Sequence, residues 1–388
     1  MKFLTIEELS TVVRGSSPRP KGDPKYYGGA IPRLMVSDVS RDGMYVTPSI
    51  DSLTEEGAKK SRSMKKGELV VAVSGDPGEP SILNVNACIH DGFVGLRDLD
   101  EQKVYTPYLY RFFKFNKLVN KSQAVGAIYK NLNTTQIKAL KIPLPPIDTQ
   151  KKIAAILDEA NKLQQLDEQL IEKYESLIQS LFWDMFGDVR VNEKSFTEET
   201  IQNACVLVTD GAHRTPKLLD DGYPFLTVAN MSETGYLYEN CKRISEVDYK
   251  DLIRNNCQPL KDDILFSKDG TVGKVMRIRK FEEVVILSSI ALLRFKKCYN
   301  PVYVEHYLKS DFFLFQATSR KSGSAIRRIV LKDLKKTKIA LPPIELQNLF
   351  AERVQTIKAQ KAQAQQSLKK SEELFNSLLQ KAFKGELA

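Results

Sequence analysis

Two strings in this 388-residue chain hold residue types that invite a catalytic reading. The first is Leu144-Pro145-Pro146-Ile147, repeated as Leu341-Pro342-Pro343-Ile344; the second is Gly270-Thr271-Val272-Gly273-Lys274-Val275. A di-proline string that works on a flipped adenine needs a polar side chain before the prolines and an aromatic ring after them. Leu144, Leu341, Ile147 and Ile344 supply neither, so each string reads as a stiff elbow that sets the entry angle of a helix. The glycine string has the wrong spacing for a phosphate loop, and Val275 stands where Ser or Thr must meet magnesium. Its counterpart, Gly75-Asp76-Pro77-Gly78, favours a repeated strand-to-strand turn. A clamp on a nucleic-acid backbone stays open, with Lys268 and Lys274 near phosphate.

Five cysteines contain no CxxC pair and three histidines are scattered. That pattern predicts a reducing compartment, no structural zinc and no metal. The N-terminus carries Glu7 and Glu8 where a signal peptide needs an apolar run, and no stretch is apolar enough to span a bilayer, so the expectation is a cytoplasmic protein. No nucleophile sits in a recognisable motif. Binding is the expected chemistry, and no catalytic residue is assigned.

Three kinds of stretch carry it. Arg14, Arg19 and Lys21 flank Gly15-Ser16-Ser17, while His213, Arg214 and Lys217 follow Gly211-Ala212 at the equivalent place later in the chain. Gly126-Ala127-Ile128-Tyr129-Lys130-Asn131 matches Gly323-Ser324-Ala325-Ile326-Arg327-Arg328. Arg, Lys and Asn in loops suit phosphates and base edges alike.

The elements that position these residues are also duplicated. Ile142 to Gln150 returns 197 residues later as Ile339 to Gln347, and at that offset Leu181 falls on Leu378 and Phe186 on Phe383. Upstream, Ile31-Pro32-Arg33-Leu34 resembles Tyr223-Pro224-Phe225-Leu226. Each half reads as one module followed by one long helix. Glu68 to Val73 and Ile264 to Phe266 predict strands; Pro107 to Phe115 and Pro301 to Phe315 predict helices opened by proline. The fold class is therefore α+β, with two pseudo-symmetric mixed α/β domains and two long helices. The segments are 1–141, 142–188, 189–338 and 339–388.

After the prolines, Ile156, Leu163, Leu170 and Leu177 recur every seven residues, with Ala160, Tyr174 and Leu181 between them. Phe350, Val354, Ile357, Ala364, Leu368, Phe375 and Leu378 do the same in the second copy. Such stripes predict an antiparallel coiled-coil pair within the chain, interrupted at Asp167, Lys361 and Ser371. Asp148 or Thr149 caps the first helix and Gly187 ends it. Roughly 37 residues make a rod of about 55 Å, against about 34–36 Å for one turn of B-DNA.

The net charge of +10 sits on the modules. Residues 1–141 and 189–338 carry +6 and +7, whereas 142–188 and 339–388 carry −5 and +2. A polyanion would meet the modules.

The run from Gly126 to Gln150, its echo from Gly323 to Gln347, the string Tyr223 to Asn230, and Asp262-Asp263-Ile264-Leu265 followed by Gly270 and Gly273-Lys274 resemble the specificity subunit of type I restriction-modification systems. The resemblance covers essentially the whole chain. It implies two target-recognition domains that read the halves of a gapped double-stranded DNA site, held apart by conserved spacer helices. It further implies that Gln150, Ile156, Leu163, Leu170, Leu177, Gln347, Val354, Ile357, Leu368 and Phe375 lie on partner-binding helices. The partners are two adenine-methylating modification subunits, which bring S-adenosylmethionine, and motor-nuclease restriction subunits, which use ATP and magnesium; the chain itself holds no cofactor. Thr149 and Leu346 replace the family's usual acid before each glutamine. Two other expectations remain: a related system whose partner fuses methyltransferase and nuclease, and a noncatalytic scaffold.

Overall fold

A computed structural model describes residues 2–123, 132–232, 235–318 and 328–387. It divides into two compact units, Met1–Gln169 with Ala364–Ala388, and Leu170–Gln363. Both long helices, Ile147–Phe186 and Ile344–Lys384, contribute one half to each unit.

In the first unit a five-stranded sheet runs in the order Thr11–Arg14, Phe93–Arg97, Leu69–Ala72, Pro80–Leu83, Tyr45–Val46. Its central strand, Leu69–Ala72, is buried throughout because both faces are covered. Alternation sends Leu69 and Val71 into the core shared with the helices, and Val70 and Ala72 into a second core with Leu34 and Ile89. A second, four-stranded sheet is built around Tyr27–Leu34 and Ala87–Ile89. The second unit repeats the plan with four strands, Cys205–Asp210, Ile290–Phe295, Ile264–Ser267 and Val275–Arg277, and a smaller sheet centred on Tyr223–Leu226. There Ile264 and Phe266 face the helix-side core and Leu265 faces away.

Each elbow begins as an edge strand. Lys141–Leu144 pairs antiparallel with Lys2–Thr5, and Lys338–Leu341 pairs with Thr197–Thr200. The di-proline then breaks the strand, and Gln150 N–H makes the first helical bond to the Pro146 carbonyl at 3.0 Å. Asp148 lies inside the first turn, and Gly187, at φ +71°, ends the helix as its sequence predicts. The expected helix from Pro107 spans Thr106–Gln123, but the one from Pro301 is two, Pro301–Leu308 and Asp311–Thr318.

Within each unit the helix halves run antiparallel. In the first, Ile153 and Leu157 share a core with Leu379 and Phe383, and Gln164 Nε2 donates to the Ser371 carbonyl at 3.3 Å. In the second, Phe182 and Phe186 pack on Phe350, with ring centroids 5.5 and 5.3 Å apart, and Lys361 pairs with Glu175. The end of each helix thus fills the core of the module that does not precede it. Phe383 lies 5.1 Å from the Tyr108 ring and Phe186 lies 4.7 Å from that of Tyr303.

The heptad assignment for the first helix holds at Ala160, Tyr174 and Leu181 and at the polar interruption Asp167, and requires correction along its other line. Ile156, Leu163, Leu170 and Leu177 are 44, 51, 40 and 46% exposed. The buried and half-buried line runs instead through Ile153, Leu157, Ala160, Gln164, Asp167, Ile171, Tyr174 and Ile178. This line has the same 3.5-residue rhythm, with a polar centre where Ser367 and Ser371 hydroxyls donate to Asp167 at 3.2 and 3.1 Å. On the second helix Val354 and Ile357 are buried and Leu368 and Phe375 half-buried, as the pattern predicts.

Candidate nucleic-acid interface

In the second unit the strand Cys205–Asp210 leads into the basic loop from Gly211. A Cβ on Gly211 would lie 2.0 Å from the Ile286 carbonyl oxygen, so only glycine lets the loop leave this close to the neighbouring strand. Ala212 N–H then donates to that carbonyl at 3.0 Å. His213, Arg214 and Lys217 are all exposed beyond this anchor. Together with Asp248 and Asn255 they line a cavity of about 700 Å³.

The turn after Ile264–Ser267 is a strand-to-strand turn, as favoured from sequence. Gly270 and Gly273 have φ +68° and +89°, Gly273 N–H donates to the Ser267 carbonyl at 3.0 Å, and Lys274 points to solvent. Lys268 does not join the exposed cations. Its side chain is 4% exposed and its ammonium is paired with Asp210 at 2.5 Å, so the expected phosphate contact is corrected to a buried ion pair. Arg328 is exposed, 3.8 Å from Asp269. Lys130, Asn131 and Arg327 lie outside the described residues.

The first unit builds the same backbone with other side chains. Gly15 meets the His90 carbonyl oxygen, 1.9 Å from where its Cβ would be, and Ser16 N–H donates to Ile89 at 3.1 Å. Gly75 and Gly78 take φ +78° and +87° in the turn, and Gly78 N–H donates to the Ala72 carbonyl at 2.8 Å. Arg14, Arg19 and Lys21 are exposed. The loop between them is held from below by Arg33, which is 6% exposed, pairs with Asp51 at 2.5 Å and donates to the Ser17 hydroxyl at 2.8 Å. Ser17 in turn donates to Asp91 at 2.6 Å and holds its carboxyl below the usual carboxylate range. Where Lys274 stands in the second turn, Glu79 stands in the first, bound by Lys114 and Lys117.

Gln150 and Gln347 are also corrected. Both are fully buried, so neither presents a side chain to a partner. Gln150 Oε1 accepts from Tyr105 N–H at 2.9 Å, and its Nε2 donates to the carbonyls of Lys103 and Pro145 at 2.8 and 2.9 Å. Gln347 makes the same three bonds, to Asn300 N–H and to the carbonyls of Cys298 and Pro342, at 2.8, 3.1 and 2.8 Å. The glutamine is a brace that ties elbow, helix and module together. Val354 and Ile357 are likewise seam residues, whereas Ile156, Leu163, Leu170 and Leu177 are available on the surface. Among the described residues, no cluster of His, Cys, Asp or Glu could hold a metal, and no helix is long and apolar enough to cross a membrane.

Comparison with known proteins agrees with this duplicated plan. The chain is 22% identical over 416 residues to the EcoKI specificity subunit of Escherichia coli K12, covering 98% of this chain and 88% of that one. It is 24% identical to the MjaIX specificity subunit of Methanocaldococcus jannaschii, covering 98 and 92%. A chain solved in work on complex assembly and conformational transition of the type I R-M system superposes with a TM-score of 0.70 at 17% identity, covering 100 and 98%. The HsdS subunit of Thermoanaerobacter tengcongensis gives 0.51 at 18% identity, covering 100 and 97%. With the type I restriction modification DNA specificity domain matched over residues 1–176 and 213–372, the chain belongs to that family, whose members are noncatalytic DNA-recognition subunits.

Proposed function

We propose that the chain gives a type I restriction-modification enzyme its DNA sequence specificity, each module reading one half of a gapped double-stranded site. One observation carries this reading: the two modules share their loop-bearing backbone, at Gly15 and Gly211 and at the paired turns, while the side chains displayed there differ. A repeated frame with divergent contacts suits two half-sites of different sequence. Arg14, Arg19 and Lys21 serve the first half-site; His213, Arg214, Lys217, Lys274 and Arg328 serve the second. Lys130, Asn131 and Arg327 extend these sets.

The exposed apolar residues Ile156 and Leu163 in the first unit, and Leu170 and Leu177 in the second, form the docking faces for two modification subunits. Those subunits supply S-adenosylmethionine; restriction subunits with ATP and magnesium complete the enzyme in the cytoplasm, where the host DNA lies.

Long-read detection of methylated adenine tests the assignment, in a host expressing the chain with its neighbouring modification subunit and in the same host without the chain. Methylation at one gapped two-part sequence, lost without the chain, is the expected result. Unchanged methylation with an active partner would rule the assignment out.

A further inference from the structure

Three stretches of the second module meet at one buried residue. Lys268 Nζ holds Asp210, the last residue before the loop that carries His213, Arg214 and Lys217. The same carboxylate also meets His213 Nε2 at 3.1 Å. The Lys268 carbonyl accepts from Ile329 N–H at 2.7 Å and so fixes the segment bearing Arg328, which bridges the adjacent Asp269. Along the chain, Lys268 leads directly into the turn that presents Lys274. Its own N–H is bound to the Ser289 carbonyl at 2.8 Å, which fixes the node to the sheet.

A buried Lys–Asp pair is a poor means to stability alone, since removing both charges from water costs about as much as their attraction returns. The first module demonstrates the cheaper choice at the same place. Val73, whose N–H donates to the Gly92 carbonyl at 2.8 Å as Lys268 donates to Ser289, is a buried apolar residue. What the charged pair adds is direction: a carboxylate fixed between an ammonium and an imidazole has far fewer orientations than a valine contact.

We propose that Lys268, acting through Asp210, is the positioning residue that sets the geometry of the second half-site's reading surface. This rests on the two-half-site reading above. Lys268 touches no DNA; it orients the loop, the turn and the Arg328 segment that do.

The test uses the full chain with its modification subunits. Binding is measured to duplexes bearing the gapped site that the wild type methylates, and to duplexes with single-base changes in either half. The double variant Lys268→Met/Asp210→Leu replaces the pair with apolar side chains, so the fold keeps a packed site. The expected result is a thermal midpoint near wild type, a loss of about tenfold or more in discrimination at the second half-site, and unchanged discrimination at the first. Lys268→Arg, which keeps a cation on Asp210 but changes its length and shape, serves if the double variant does not fold, with a smaller loss confined to the same half. Wild-type discrimination at the second half-site, or equal loss at both halves, overturns the proposal. A wild-type complex that methylates no gapped site removes the two-half-site reading and this inference with it, whereas intact wild-type methylation beside unaffected variants removes this inference alone.

Discussion

The first module ties its basic loop to a neighbouring strand through Arg33, Asp51 and Ser17; the second ties its loop through Asp210 to Lys268, the first residue past the strand Ile264–Ser267. Beneath both, the glycine exit, the positive-φ turn and the glutamine brace are the same to within a few tenths of an ångström in most of their bonds. The difference teaches which contacts are free to change. Backbone geometry and the helix brace decide whether a module folds, and the anchors decide how its loop is aimed.

The largest effects should come from what the modules share. Phe383→Ala should destabilise the first unit, and Phe186→Ala the second, each by about 3–5 kcal/mol, read by hydrogen exchange resolved along the chain. Loss in the unit that precedes each helix would contradict the exchange of helix ends. Gln150→Leu and Gln347→Leu should each cost about 3 kcal/mol or more, because each strands one N–H and two carbonyls in the core. Near-equal values in denaturant unfolding would confirm that the braces are equivalent, while a small effect at either would mean it is exposed in solution.

A pH difference sharpens the contrast. Burial pushes the His306 imidazole down to about 4, opposed by Glu305, whereas the equivalent place in the first module holds Arg111, paired with Asp158. His306 is neutral when folded, so its contribution is full above its ordinary value of 6.5 and is lost as pH falls towards 4. The loss reaches about 3 kcal/mol. Burial raises the carboxyl of Glu305, but Lys309 and Lys358 overcome this and hold it at about 2. Its contribution, present above its ordinary 4.5, is lost as pH falls from there towards 2, after most of the histidine's has gone. The opening free energy from hydrogen exchange, corrected for the intrinsic rate at each pH, should therefore fall between pH 6.5 and 4 in the second unit first, and His306→Leu should flatten that response. The smallest change in stability is expected from Leu170→Glu or Leu177→Glu, within about 0.5 kcal/mol since both are exposed. Capture of modification subunits should nonetheless fall, and capture at wild-type strength would remove these leucines from the docking face.

Much of this was legible in the sequence because duplication announces itself. The proline elbows, the central strands and the glycine turns lay in repeated strings, and repetition filtered out accidental motifs. The errors share one physical cause, the reading of polar groups as surface and leucines as core. Gln150 sits in the first turn of a charged helix, where a glutamine normally faces water, and its buried bonds reach an N–H and a carbonyl more than 40 residues away in sequence. The true helix seam runs through Gln164 and Asp167, so the exposed leucines offered the more regular apolar stripe. Lys268 carried no sequence sign of its partner, because Asp210 lies 58 residues earlier, at the end of a strand that the sheet places one strand away across Ile290–Phe295.

The exchange of helix ends also dictates an order of events during synthesis. The first module's core takes Leu379, Ala382 and Phe383 from beyond the second module, so its aromatic face at Tyr108 and Phe112 stays uncovered while the whole second module is being made. The second module needs no such wait, since the Phe182 and Phe186 that fill it are translated before it. The half made first is therefore the half that closes last, and a ribosome paused inside the second module holds a nascent chain with an open apolar seat.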